Sequence, residues 1–288
     1  MTSRPEMAAG FVTRTMTAAD LALVVDWAAE EGWNPGLRDA DCFRAANPGG
    51  FIVGALDGAP AASISVVNYD GRFAFLGFYI VRPALRGRGY GWRMWQAGMA
   101  HGGARTIGLD GVAAQQDAYR KSGFRLAYRN IRFAGRGDGG DAPSAGRIVS
   151  LARVPFADLA AYDRAMFPAA RPAFLRAWIG QKEHVALGLV EDGALVGYGV
   201  LRPCRRGSKI GPLFADRADA ADALFAALCA RAGEGPVHLD VPEANPAAVA
   251  LAERRGMKPV FETARMYTGA PPAIDLARIF GVTSFELG

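Results

Sequence analysis

The sequence predicts an α+β protein in which one plan, a mixed and mostly antiparallel sheet flanked by helices, occurs twice. Two observations lead to this prediction. Segments with strand-like alternation and segments with helical spacing follow one another in a mixed order, and a set of turn and helix landmarks recurs in the second half in the same order. The length of 288 residues exceeds the commonest single-domain size and leaves room for two domains.

The repeat begins with a helix and a hairpin. A helix-start pattern with Asp20 in its first turn is matched by a second pattern with Asp158. Each is followed by two strand candidates joined at an Asp-Gly pair, Asp57-Gly58 in the first copy and Asp192-Gly193 in the second. Asp-Gly between alternating apolar runs is a strong hairpin signal, because both residues tolerate a positive φ.

The repeat continues with a strand that ends at Leu109-Asp110, matched by Leu239-Asp240. A helical stretch follows in both copies and stops at Gly123 and at Gly256, where glycine suits the left-handed position after a helix. All four landmarks recur at nearly the same offset, which indicates a duplicated domain.

The boundary between the copies is predicted in the segment from Gly135 to Gly146, which is rich in Gly, Asp, Pro and Ser. We therefore expect a first domain at residues 1–134, a linker at 135–146 and a second domain at 147–288. The last part of the chain, from Pro271, predicts a short helix and a terminal strand, with no functional interpretation.

The composition excludes several classes of function. The net charge of +5 is modest and no basic and aromatic stripe occurs, so a nucleic-acid-binding module is disfavoured. No apolar run approaches a membrane span, and no signal peptide is recognisable. The three cysteines, Cys42, Cys204 and Cys229, form no C-x-x-C pair, so we expect neither a disulfide framework nor a metal site, and we expect a cytoplasmic protein.

A glycine-rich turn in the first copy is the strongest functional signal. Arg86-Gly87-Arg88-Gly89-Tyr90-Gly91 stands between an aromatic, β-branched strand candidate and a helical stretch. Such a turn directs backbone N–H groups to one point, next to the positive end of the helix dipole. The spacing fits neither a dinucleotide fingerprint nor a nucleotide-triphosphate loop, because Trp92 replaces the last glycine and no Gly-Lys-Ser/Thr follows. A tight turn with no ligand is the alternative.

This turn resembles the pyrophosphate-binding motif of the GNAT acetyltransferase superfamily, Arg/Gln-x-x-Gly-x-Gly/Ala, with Arg86, Gly89 and Gly91 at the fixed positions. The segment Arg14 to Asp20 is similar to the superfamily's first strand and helix start, and Tyr119 to Phe124 is similar to its Tyr-x-x-x-Gly-Phe segment. The tandem layout resembles the two-domain, YitH-like branch, so the resemblance extends over nearly the whole chain.

The resemblance implies an N-acetyltransferase that binds acetyl-CoA in the first domain, between two strands that splay apart, and transfers the acetyl group directly to a primary amine. The residues expected to hold acetyl-CoA are Ile80, Val81, Arg86, Gly87, Arg88, Gly89, Tyr90, Gly91 and Trp92.

Tyr119 matches the tyrosine that protonates the leaving thiolate in the superfamily; packing in the core is its alternative role. Three acidic residues are candidates for the general base: Asp110, which could instead cap the next helix, and Glu30 or Glu31 at the end of the first helix. Trp33 and Asn34 follow in a Gly-Trp-Asn-Pro-Gly turn, in the region that lines the acceptor site of the superfamily.

The second copy departs from the motif. Arg217 to Ala220 replaces the glycine cradle, and Ala252 stands where the first copy has its tyrosine. We therefore expect one acetyl-CoA per chain and a second domain that forms a wall of the acceptor site. The acceptor is expected to be a small-molecule or peptide amine, and the protein a monomer or homodimer. The alternative function is a non-catalytic acetyl-CoA sensor.

Overall fold

The computed structural model describes residues 10–136 and 146–288. The first half contains the strands β1 (Phe11–Thr15), β2 (Phe51–Leu56), β3 (Ala59–Asn68), β4 (Phe73–Val81), β5 (Thr106–Val112) and β6 (Arg125–Gly135). Its helices are α1 (Ala18–Glu30), α2 (Asp39–Ala46), α3 (Tyr90–Gly102) and α4 (Gln116–Lys121).

The second half repeats this order. Its strands are β7 (Arg147–Ser150), β8 (Val185–Glu191), β9 (Ala194–Pro203), β10 (Ser208–Ala215), β11 (Val237–Pro242), β12 (Lys258–Tyr267) and β13 (Ile279–Gly281). Its helices are α5 (Phe156–Met166), α6 (Pro172–Gly180), α7 (Ala218–Cys229) and α8 (Pro246–Arg254). The mixed α+β class and the duplication are confirmed.

Both predicted hairpins are present, with the backbone that their turns require. Asp57 and Gly58 have φ values of 49° and 84°, and Asp192 and Gly193 have 48° and 84°. Positive φ at both central residues matches the twist of the flanking strands. The helix-ending glycines also have positive φ, 89° at Gly123 and 69° at Gly256.

The strands form one 13-stranded sheet in the order β1-β2-β3-β4-β5-β12-β6-β11-β10-β9-β8-β7, with β13 on β10. Neighbours are antiparallel except for β4 with β5 and β10 with β11. The parallel pair β4–β5 runs from Phe73↔Thr106 to Leu76↔Leu109 and then stops, although both strands continue. The predicted splayed pair in the first half is therefore confirmed. Asp110 lies inside β5 and does not end it.

The two halves exchange their last long strands. Strand β12 lies between β5 and β6, and β6 also pairs with β11. Arg265 of β12 stands directly opposite Asp110 of β5, and Arg132 of β6 directly opposite Asp240 of β11. Both pairs are buried and bonded through two guanidinium nitrogens, at 2.6 to 2.8 Å. They specify the register of the exchange, because a shift would leave buried charges unpaired.

The segment predicted as a linker begins at Gly135, the last residue of β6, and ends at Gly146, next to β7. Residues 137–145 of it lie outside the described residues. The position of the boundary between the halves therefore stays a prediction. The exchanged strands make the sheet continuous across both halves.

In the second half, the strand pair that corresponds to β4 and β5 is β10 and β11, and the gap between these strands is filled by a later segment of the chain. The pair β10–β11 stops at Ile210↔Leu239, and β13 then pairs with β10 at Leu213↔Gly281 and Phe214↔Ile279. On its other side, Val282 N donates to Asp240 O at 2.9 Å. A single helical turn, Leu276–Arg278, precedes β13, as the sequence predicts. We call the residues that follow, 282–288, the crossing segment, because they continue from the second half into the first.

The largest apolar cluster spans both halves. It joins Trp27 and Phe78 of the first half with Trp178 and Tyr198 of the second and with Leu287 of the crossing segment. The halves therefore share a core as well as a sheet. In the described ranges, no helix is both long and apolar enough to cross a bilayer.

The exchanged strands generate a stability prediction. Arg132→Met leaves Asp240 buried without its two guanidinium hydrogen bonds, and Lys209 Nζ, at 4.0 Å, is too distant to replace them. We expect this variant to lose about 3–5 kcal/mol of unfolding free energy, the usual cost of leaving one member of a buried ion pair. Urea denaturation measures it.

Arg129→Met is the matched control for Arg132→Met. Arg129 lies on the same strand and pairs with Glu243, but both side chains are partly exposed to solvent. We expect only a slight change, because water replaces the lost partner. Equal losses in the two variants would contradict the role assigned to burial.

Candidate active site

A cavity of about 490 Å³ opens where β4 and β5 separate. Its wall comes from the ends of these strands, from the α1–α2 loop, from β12 and from the crossing segment. The structure thus brings residues of both halves to one site. The residues predicted from the sequence that line it are Glu31, Trp33, Ile80, Val81, Arg86, Asp110 and Tyr119.

A bulge shapes the β4 side of the cavity. Pairing with β3 passes from Ser65↔Gly77 to Ser63↔Ile80, so β4 holds one extra residue. Phe78 takes a φ of 46°, and its carbonyl accepts a hydrogen bond from Ser63 Oγ at 2.7 Å. Beyond Leu76 the edge of β4 that faces β5 has no strand partner, and it is available to an extended ligand.

The glycine-rich turn lies at the far end of this open edge. Gly87 and Gly89 have φ values of 76° and 82°, which explains glycine at both positions. Gly91 is required for another reason, since a Cβ there would lie 2.9 Å from Tyr79 Oη. Helix α3 starts at Tyr90 with no side-chain cap. Within the described chain, the N–H groups of residues 87–92 have no acceptor.

The turn has the features of an anion site. Free N–H groups at a helix start, with the positive end of its dipole, favour phosphate oxygens, and a chain without Cβ atoms at residues 87, 89 and 91 allows close approach. Arg88 is exposed beside them, and Trp92 is exposed over 60% of its surface. Arg86 is drawn back towards the strand, where its Nε donates to Val81 O at 2.9 Å.

Tyr119 places a phenol in the cavity. Its ring stacks on Trp95 at 5.7 Å and lies against Gly111, where a Cβ would come within 2.3 Å of the ring. Burial, with a smaller effect of Tyr79, raises the pKa of Tyr119 to about 12. The hydroxyl has no hydrogen-bond partner among residues 10–136 and 146–288. A phenol that stays protonated and unbonded is a suitable proton donor.

Asp110 lines the cavity, but its carboxylate is already engaged. Arg265 donates to both oxygens, at 2.8 and 2.7 Å, and Asn130 Nδ2 donates to Oδ1 at 2.8 Å. The side chain therefore holds β12 in place. It does not cap a helix, since it lies within a strand.

Glu30 and Glu31 also have partners. Glu31 forms an ion pair with Arg86, and Glu30 Oε2 lies 2.5 Å from Arg82 Nη1. These partly exposed pairs fasten the end of α1 to the end of β4, through Arg82, and to the start of the glycine-rich turn, through Arg86. Of the two, Glu31 lines the cavity.

Trp33 and Asn34 separate in space. Trp33 lines the cavity, and its carbonyl accepts from Arg132 Nη1 at 2.6 Å. Asn34 is buried with a φ of 51°, and its side-chain amide forms two hydrogen bonds with the backbone of Arg206, at 3.0 and 2.9 Å. Its side chain thus fastens the loop to the second half and does not line the cavity.

Two groups of site residues were not predicted from the sequence. Gly111 and Tyr79 shape the pocket around Tyr119 and Gly91, and only the close approaches reveal them. Glu286, in the crossing segment, is exposed over only 4% of its surface and lines the cavity. Its one signal in the sequence is an acidic residue within the apolar run from Phe285 to Leu287.

Where the chain is described, no group of three or more His, Cys, Asp or Glu side chains could hold a metal ion. The three cysteines, Cys42, Cys204 and Cys229, are all buried.

Comparisons with known proteins agree with the two-part layout. The family model described as "Acetyltransferase (GNAT) family" matches residues 18–124, and that described as "Acetyltransferase (GNAT) domain" matches residues 159–281. A holothin acyltransferase from Pseudoalteromonas sp. (strain SANK 73390) is 31% identical over 268 residues, which are 92% of this chain and 90% of that protein. The uncharacterized N-acetyltransferase YitH of Bacillus subtilis (strain 168) is 29% identical over 60% of this chain and 61% of its own.

Solved structures share the fold along the whole chain. A putative acetyltransferase from Pyrococcus horikoshii superposes with a TM-score of 0.80 at 21% identity, over 100% of this chain and 99% of that one. A tandem GNAT protein from the clavulanic acid biosynthesis pathway gives 0.62 at 17% identity, over 91% and 99%. Because both halves match GNAT family models and a relative is 31% identical over most of its length, the chain belongs to the GNAT acyltransferase family, in the branch that carries two such domains in tandem.

Proposed function

We propose that this protein transfers the acetyl group of acetyl-CoA to a primary amine in a ternary complex, at the cavity of the first half. One observation carries the proposal. The cavity that holds the unbonded phenol of Tyr119 follows the open edge of β4 as far as Val81 and Arg86, and Arg86 is the first residue of the uncapped glycine-rich turn.

Acetyl-CoA, the co-substrate of the family, supplies the acetyl group as a thioester. The N–H groups of residues 87–92 and the Arg88 side chain would hold its pyrophosphate, and Trp92 offers an exposed ring beside them. Backbone groups of Ile80 and Val81 would bind the pantetheine amides, as if a strand were added. Arg86 would turn from Val81 O or from Glu31 towards the phosphates.

Tyr119 acts as the acid in this proposal. It gives its proton to the sulfur that leaves, and its raised pKa keeps that proton available at neutral pH. A backbone N–H of the β4 bulge stabilises the charge that develops on the carbonyl oxygen. A pure acetyl-CoA sensor has no use for an unbonded buried phenol at this place, so the enzyme is favoured over the sensor.

The acceptor approaches from the side formed by the α1–α2 loop, β12 and the crossing segment. Trp33, Phe261 and Phe285 line this side of the cavity, which favours an amine with an apolar body. Asn34, whose amide is engaged with Arg206, positions the loop and does not contact the acceptor. The name of one relative gives holothin as its acceptor, so holothin belongs in any amine panel tested.

We further propose that each chain binds one acetyl-CoA. In the second half, α7 begins at Ala218 with no glycine cradle before it, and β13 already occupies the gap between β10 and β11. The sparse, buried cysteines support a reducing, cytoplasmic location.

The assignment of Tyr119 is tested by Tyr119→Phe. The variant keeps the ring stacked on Trp95 but loses the proton, so kcat should fall on the order of 10²-fold. Free-thiol release from acetyl-CoA with an amine panel measures it. Affinity for acetyl-CoA, from calorimetry, should stay near the wild-type value.

Tyr162→Phe serves as the control, because that hydroxyl bonds Val196 O in the second half, away from the cavity. It should leave turnover unchanged. Wild-type turnover in Tyr119→Phe would rule out the acid.

The phosphate site is tested by Gly89→Val. A β-branched residue is strained at a φ of 82° and adds a Cβ where the backbone must approach the phosphate closely, so acetyl-CoA should bind at least about tenfold more weakly, given the loss of one or more charge-assisted bonds. Calorimetric titration measures the affinity.

Gly58→Val carries the same backbone strain, at a φ of 84°, in a hairpin turn away from the cavity. It should cost stability and leave the affinity unchanged. If both variants bound acetyl-CoA equally well, the turn would not be the phosphate site.

A further inference from the structure

We infer that Glu286, brought into the first half by the crossing segment, is the catalytic base that accepts the proton of the attacking amine. The inference rests on the proposed acetyl transfer and adds its base and the charge class of its acceptor, an ammonium-bearing molecule with an apolar body.

The place of Glu286 is set by contacts on both sides of it. Its backbone packs on Gly77, where an added Cβ would lie 2.3 Å from Glu286 O. The carbonyl of the next residue, Leu287, accepts from Tyr69 Oη at 2.8 Å. Gly77 directly follows Leu76, the last residue of β4 that pairs with β5. Glu286 therefore lies at the fork of the two strands, where the reacting groups would meet.

Glu286 differs from the other acids of the cavity in having no partner. Within the described chain three carboxylates line the wall. Asp110 is bonded to Arg265, and Glu31 is paired with Arg86. The Glu286 carboxylate has neither a hydrogen bond nor an ion pair with any described residue, although it is almost completely buried. A buried acid with an open face to a cavity is available for proton transfer.

The surroundings of Glu286 suit a base. Burial raises its pKa above the ordinary 4.5, which makes the ionised carboxylate a stronger base. The charged groups around it are Lys209, Arg132, Arg202 and Asp39. The three cations favour the ionised carboxylate, and Asp39 opposes it. Arg202 and Arg132 are themselves paired, with Asp39 and Asp240, so they attract Glu286 without covering it.

The proton balance of the transfer is then complete. Glu286 takes one proton from the bound ammonium and frees the nitrogen lone pair. As the N–C bond forms and the C–S bond breaks, Tyr119 gives its proton to the sulfur, and the second nitrogen proton passes through solvent back to the Tyr119 oxygen. Glu286 returns its proton to solvent. The net products are the amide, the free thiol of coenzyme A and one proton.

The same arrangement selects the acceptor. One buried carboxylate attracts a cation, whereas Trp33, Phe261 and Phe285 offer apolar surface around it. An amine with its own carboxylate close to the nitrogen would bring a second negative charge into a buried site. We therefore expect apolar amines to be better acceptors than α-amino acids of similar size.

The test is Glu286→Gln, which keeps the shape and removes the charge, with Glu262→Gln as its matched control. Glu262 is an exposed carboxylate on β12 that pairs with Arg129 at 3.2 Å. Acetyl transfer to the best amine of the panel is followed against pH, with calorimetry for acetyl-CoA affinity and thermal unfolding for stability.

In Glu286→Gln, kcat should fall on the order of 10²-fold, with acetyl-CoA affinity unchanged. Because a base must be deprotonated, the wild-type rate should be full above the pKa of Glu286 and decline as the pH falls through it, above pH 4.5. This limb should be absent from the Gln variant and present in Glu262→Gln. Glu286→Asp, which keeps the charge, should keep the limb at a reduced rate.

A wild-type rate and pH profile in Glu286→Gln would overturn the inference. So would loss of acetyl-CoA affinity or of folding in both the Gln and the Asp variants, which would make the residue structural. The proposed function fails differently, when the wild-type protein releases no thiol with any amine. Turnover that is lost in Tyr119→Phe and retained in Glu286→Gln leaves the proposed function intact and removes only the base.

Discussion

Two buried ion pairs, Asp110–Arg265 and Arg132–Asp240, are the interactions on which the rest of the structure depends. Each joins strands from different halves, and each stands at a directly opposed position of the sheet. Their desolvation is repaid only when both members meet in register, so they act against every other alignment of the exchanged strands. The cavity exists because these pairs hold β12 and β6 where they are.

Because the strands are exchanged, residues of both halves line the candidate active site. The first half contributes the turn, the open strand edge and Tyr119. The second half contributes β12, the partner of Asp110, and the segment that carries Glu286. Asp110, which the sequence offers as a candidate base, binds Arg265 and thereby fixes the position of β12. An acid outside every motif is the one left without a partner. Burial and pairing, and not residue type, separate these roles.

The sequence predicts what local physics controls. The Asp-Gly hairpins, the glycines of the turn and the position of Tyr119 depend on backbone conformation and short spacing, and each lies where it was expected. The exchange of β6 and β12 could not be predicted, because it depends on Arg132 and Arg265 finding partners more than 100 residues away. Glu286 was missed for the same reason, since only the fold brings it to Gly77.

In the second half, β13 occupies the gap between β10 and β11, and this has a consequence for the first half. Strand β13 pairs with β10 at the position where the first half leaves the edge of β4 without a strand partner. Through this pairing, the second half anchors the crossing segment that reaches the first half. A substitution at Leu213 or Gly281, where β10 and β13 pair, would therefore shift the crossing segment and change the wall of a cavity in the other half.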